Sequence, residues 1–239
     1  MENPAKGVVN GLIGVLIFSG SMPATRVAVL QFDPVFLTAA RASIAGLLAL
    51  VILRAFGAPR PARGDLFPLV VVALGVVVGF PLLTAFALRQ VTSAHSMVFI
   101  GLMPLMTAIF GVVRGGERPR AAFWLFSGFG SLAVAGYALL GGGSIVLAGD
   151  GLLLAAITVC GLGYAEGARL ARTLGGWQVI SWALVFSLPL MLPLAALQSP
   201  ASWAGINLPA WLGLGYVSLF SMLIGFILDR KSTRLNSSH

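Results

Sequence analysis

The sequence predicts an all-α fold, a polytopic membrane helical bundle, and three observations carry that prediction. Apolar stretches of about twenty residues succeed one another from Val8 to Leu228. Of the 239 residues, 58% are hydrophobic and 9% charged, against roughly one quarter charged in a soluble domain. Nearly all of that charge sits in the short joints between the stretches. A helix crossing a hydrocarbon core of roughly 30 Å needs about 20 residues at 1.5 Å each, and it satisfies its own backbone where lipid offers no partner.

The predicted spans are 8–30, 34–56, 65–88, 94–113, 121–140, 150–169, 177–197 and 209–228. Lys6, the apolar Val8 to Phe18 and the small Ser19, Gly20 and Ser21 also fit a cleaved secretory signal, but the later loops alternate in charge only if the first span stays in place. Lys6, then Arg54, Arg60 and Arg63, then Arg114, Arg118 and Arg120, then Arg169 and Arg172 fall on one side of the alternation. Only Arg26 and Arg89 fall near the other. The positive-inside rule therefore places the N-terminus, the 57–64 loop and Glu117 in the cytoplasm, with Ser144 and Ser202 outside. Trp203 and Trp211 suit the outer interface, Trp124 and Trp177 the inner one.

The same composition excludes several function classes. A net charge of +8 invites a nucleic-acid reading, yet the basic residues form no stripe interleaved with aromatics, so no nucleic-acid partner is expected. Cys160 is the one cysteine, which rules out an intrachain disulfide. With two histidines, one of them terminal, no metal-ligand cluster arises, and no cofactor is expected. The expected partners are the lipid bilayer and a small-molecule substrate; oligomeric state is not encoded in any pattern visible in the chain.

A displacement of 140 recurs along the chain: Gly11-Leu12 with Gly151-Leu152, Ile17 with Ile157, Ala28 with Ala168, Leu30 with Leu170. Five spans separate the two starts, and an odd number inverts the second copy relative to the first. Inverted repeats mark secondary transporters, whose site lies near mid-membrane between the halves. Pro23, Pro81, Pro104, Pro189 and Pro193 fall inside spans, where each removes a backbone bond. Gly75-x-x-x-Gly79 and Gly163-x-x-x-Gly167 offer small faces for close helix approach.

Ser96 to Tyr137, with Pro104 in mid-span, the turn Gly116-Glu117-Arg118-Pro119 and the glycines Gly128, Gly130 and Gly136, resembles the end of the first repeat of EamA-type transporters of the drug/metabolite transporter superfamily. Gly163-Tyr164-Ala165-Glu166-Gly167-Ala168-Arg169, Gly176-Trp177-Gln178 and Leu212 to Ser218 extend the resemblance into the second half. The resemblance implies ten helices in two inverted five-helix repeats, of which eight are present: 1–140 as the first repeat and 150–228 as an incomplete second one. It also implies a cell-membrane location, the inner membrane of a bacterium, and transport of amino acids, related metabolites or drugs, usually driven by protons. The cavity-facing part of the first helix reads Phe18-Ser19-Gly20, which makes Ser19 a candidate substrate contact. Phe18 stands where many relatives carry tryptophan.

Arg41 is the deepest charge, about 5 Å from the middle of the second span by helical rise. An arginine at a helix centre costs roughly 2.5–3.5 kcal/mol on insertion scales, so it faces protein or a water-filled cavity. Clamping a substrate carboxylate is one role; bonding backbone carbonyls at a kink is the other. Glu166, about 9 Å from the centre of the sixth span, is the candidate proton carrier, with a structural pair to Arg169 at i+3 as the alternative. Tyr164 and Trp182 are candidate cavity-lining residues that also suit plain packing. Arg26, Asp33 and His95 are read as interfacial, solvated or salt-bridged groups. A secondary transporter leads. A membrane-embedded enzyme is weaker, because Glu166 is the only carboxylate well inside a span and no intramembrane serine has a histidine at catalytic spacing. A channel or non-transporting scaffold would need a ring of like charges or carbonyls that the sequence does not display.

Asp229 to His239 breaks from everything before it and reads like the translation of a short-read sequencing adapter. Residues 229–239 are therefore expected not to belong to the protein, with two further helices expected in the intact gene product.

Overall fold

The computed structural model describes residues 18–116, 119–140 and 146–224, together with Leu12 and Leu16. Within them lie eight helical spans, α1 to α8, and no strand. The start of the first predicted span, Glu117, Ser144 and the tail 229–239 fall outside the described residues.

Local chemistry sets the ends of these spans. The described part of α1 is Ser21–Val29. Asp33 caps α2 (Pro34–Ala55), its carboxylate accepting from the backbone nitrogens of Val35 at 2.8 Å and Phe36 at 3.4 Å, while Pro34 takes a position with no N–H to satisfy. Thr92 caps α4 (Ser93–Gly115) through the His95 nitrogen, and Asn207 caps the last span through Ala210. Gly116 stops α4 at φ +64, a left-handed turn that side chains with a Cβ avoid. The other spans are α3 (Arg63–Ala87), α5 (Ala121–Leu140), α6 (Leu147–Ala171), α7 (Gly176–Leu197) and α8 (Leu208–Tyr216, continued by Val217–Ile224). Five of them run 22 to 25 apolar residues, longer than a hydrocarbon core requires.

Three spans depart from regular α geometry. In α3 the stretch Ala73–Gly79 is a π-helix, and α8 becomes one over Val217–Ile224. In α4 Gly101 and Leu102 interrupt the helix, and Pro104 opens its second half, as a proline without an N–H to donate dictates. Pro189 and Pro193 lie inside α7 without dividing it.

The bundle is built on α2 against α7. Ala39, Ala42, Ala45 and Ala49 present a small face to Val179, Ile180, Ala183 and Leu184, so the two backbones approach closely. Around this pair, α3 packs on α6 and α1 packs on α8. The two glycine motifs meet where α3 crosses α6: a Cβ on Gly75 would stand 2.5 Å from the Val159 carbonyl oxygen and 3.1 Å from Gly163 Cα. At the α1–α8 crossing, a Cβ on Gly213 would meet the Ala24 carbonyl oxygen at 2.6 Å. Helix α4 lies along α6, while α5 packs chiefly on α4 and exposes Leu125, Phe126, Phe129 and Leu132. Such a surface suits hydrocarbon and not water.

Candidate functional site

Arg41 lies on α2 with 6% of its surface exposed. Its Nη2 donates to Ser221 Oγ on the π-helical stretch of α8 at 3.4 Å, and its Nε has no acceptor. Among the described residues it forms no ion pair; the acidic partners in the structure belong to His95, Arg114 and Arg169. A guanidinium has five N–H donors and stays charged, so one long bond to a serine leaves a buried cation largely unanswered. The alternative role foreseen for it, bonding to backbone carbonyls at a kink, is not the arrangement among the described residues. Ser21 on α1, Ser43 on α2 and Ser181 on α7 are likewise buried with unpartnered hydroxyls. By contrast Thr25, Thr38, Ser187 and Ser218 each donate to a carbonyl of their own helix.

The other predicted contacts have partners away from Arg41. Ser19 is exposed and donates to the Leu16 carbonyl at 2.8 Å, within its own helix. Tyr164 is half-buried against the α2–α7 core and hydrogen-bonds with the Cys160 side chain. Trp182 donates from Nε1 to the Pro59 carbonyl at 3.2 Å, tying α7 to the loop that leaves α2.

Glu166 is fully buried and doubly paired. Arg114 Nε reaches its Oε1 at 2.6 Å and Arg169 Nη1 its Oε2 at 3.4 Å. Arg169 also donates to the Arg114 carbonyl at 3.5 Å, which closes the cluster. Arg169 is the i+3 partner that spacing foresees, whereas Arg114 sits 52 residues away on α4 and needs the fold to bring it in. At the opposite end of the same two helices, His95 Nε2 and Asp150 Oδ1 are 2.6 Å apart, and between the ends Gly161 rests on the backbone of Met106 and Thr107. Helices α4 and α6 are thus joined at both ends and in the middle. Of the remaining charges, Arg26 donates to the Leu88 carbonyl at the end of α3, and Asp33 serves as the α2 cap. No three His, Cys, Asp or Glu side chains gather for a metal among the described residues.

The comparisons with known proteins agree with this architecture. The profile of the EamA-like transporter family matches residues 5–139. The uncharacterized transporter YdeK of Bacillus subtilis (strain 168) is 65% identical over 227 residues, which is 95% of this chain and 79% of that protein. A solved crystal structure superposes with a TM-score of 0.68 at 20% identity, covering 94% of this chain and 79% of that one, a likeness that speaks for the fold alone. Apolar spans, a packed helical bundle, a family profile over the first half and a close relative over almost the whole length agree: this chain is a multi-pass membrane protein and belongs to the EamA-like transporter family of the drug/metabolite transporter superfamily.

Proposed function

We propose that the protein is a secondary transporter of small anionic metabolites, amino acids or related carboxylates, that works by alternating access with Arg41 as the anchor for the substrate's carboxylate. The carrying observation is the buried, counter-ion-free guanidinium. A buried charge without a partner costs several kcal/mol, and a fork of donors at that position matches a carboxylate arriving as substrate.

The packing supports an inverted repeat as the moving framework. Exchanging α1 with α6, α2 with α7 and α3 with α8 turns the α3–α6 contact into the α8–α1 contact and returns α2–α7 to itself. The π-helical stretches also correspond, Ala73 and Val217 being 144 residues apart, within about one turn of the 140-residue displacement in the sequence. In this reading the N-terminus and the Arg114–Glu166–Arg169 cluster face the cytoplasm, as the arginine asymmetry of the loops supports. Glu166 is the one buried carboxylate among the described residues and hence the candidate for coupling protons. Its two arginine contacts must then open during the cycle.

Counterflow in reconstituted vesicles tests the proposal, since only a carrier exchanges labelled for unlabelled substrate. Arg41→Gln should abolish exchange of a labelled amino acid or carboxylate by normally inserted protein. Glu166→Gln should retain exchange but lose accumulation driven by a pH gradient. Exchange at wild-type rates by Arg41→Gln would show that Arg41 anchors no substrate.

A further inference from the structure

Tyr216 ends the α-helical part of α8 and Ser221 lies in the π-helical part that follows. In a π-helix the hydrogen bond runs from i to i+5, so residues five apart stand nearly one above the other, whereas in an α-helix they diverge. The switch at Val217 therefore brings Tyr216 and Ser221 to one side of α8, about one helical turn or roughly 5 Å apart. Ser221 meets Arg41 there. Tyr216 lies against α1 at Gly20, where a Cβ would stand 2.5 Å from its hydroxyl oxygen and 2.8 Å from Cζ. Ser21, the next residue, is 6% exposed with its Oγ unpartnered. A buried cation lacking a counter-ion, a buried orphan hydroxyl and a tyrosine seated on a glycine thus occur where α1, α2 and α8 pack together.

We propose that Tyr216 and Ser221 are specificity-determining substrate contacts, which select carboxylates bearing a second hydrogen-bonding group on the carbon beside the carboxylate. The inference rests on Arg41 as the carboxylate anchor. Ser221 shares the carboxylate with Arg41, and Tyr216, one turn further along, reads the neighbouring substituent. A site built to hydrogen-bond such a group rejects an analogue lacking it, because its own buried polar atoms would be left unpaired.

Propionate, L-lactate and L-alanine share a three-carbon skeleton and differ at that one position, so their binding to the full chain in detergent, read as melting-temperature shifts over concentration, forms the test. Lactate or alanine should bind at least about tenfold tighter than propionate, the worth of one well-made hydrogen bond. Tyr216→Phe should erase that preference while leaving propionate affinity within about twofold, and Ser221→Ala should weaken all three. Gly20→Ala, which displaces the Tyr216 ring without altering α8, should act like Tyr216→Phe. A preference unchanged in both Tyr216→Phe and Gly20→Ala overturns the inference, as does failure of the wild-type chain to bind any of the three. If Arg41→Gln binds all three as wild type does, the anchor itself fails, an outcome distinct from loss of preference alone.

Discussion

Glu166 and Arg41 are both ionisable residues buried in the bundle, and the structure treats them in opposite ways. Glu166 has an arginine on each carboxylate oxygen, at 2.6 and 3.4 Å. Arg41 has one serine at 3.4 Å and an orphaned Nε. The cost of burying Glu166 is offset within the protein, and the outcome is a clamp between α4 and α6. For Arg41 the offset is left to something that is not part of the protein. Depth in the sequence ranks the two together as sites; the partners they find separate scaffold from binding site.

That contrast can be broken most sharply at Arg41. Arg41→Met should lower carboxylate exchange by two orders of magnitude or more, about 3 kcal/mol of lost contact, while leaving the melting temperature of the unliganded protein unchanged or raised, because an uncompensated buried charge gives way to a matched apolar side chain. Arg41→Lys keeps the charge without the bidentate fork and should fall between Arg41→Met and wild type in transport assays.

Next in size is the clamp. Arg114→Ala leaves Glu166 buried with its weaker partner, which should cost about 2–3 kcal/mol of stability, less than a fully buried pair because Arg114 is 43% exposed. Detergent-solubilised variants followed by thermal melting check this, and restoring a partner through Arg114→Lys should recover part of the loss. Gly75→Ala should cost about 1–3 kcal/mol, since its Cβ would press on the Val159 backbone and not on a side chain that can turn away. The smallest effect belongs to His95→Gln at the other end of α4. This partly exposed pair is worth about 1 kcal/mol or less, and it should be weakened further by salt.

The regions also differ in how far the sequence discloses them. All eight spans are legible because a run of about twenty apolar residues fits little besides a membrane-crossing helix, and their ends follow from Asp33, Thr92, Asn207 and Gly116, whose local chemistry acts within a few residues. Arg41's depth follows from helical rise, and the Glu166–Arg169 pair from its i+3 spacing. Arg114 is hidden because its approach depends on α4 lying along α6, and Asp150 on His95 is hidden for the same reason. Trp182 reads as a cavity aromatic until the path of the 57–62 loop brings the Pro59 carbonyl to its indole. Ser221 and Tyr216 escape for a subtler reason: a uniformly apolar stretch carries no periodicity by which the π register of Val217–Ile224 could be told from an α-helix.

The contrast between the two buried charges stands or falls on a paired measurement, of melting temperature and of exchange, on Arg41→Met and Glu166→Gln in the same preparation. Opposite signatures are expected: Arg41→Met melts at or above the wild-type temperature and does not exchange substrate, whereas Glu166→Gln melts lower and still exchanges. If Arg41→Met destabilises the protein as much as Glu166→Gln does, and exchange survives in both, then Arg41 is as much a part of the scaffold as Glu166 and the contrast drawn between them is wrong.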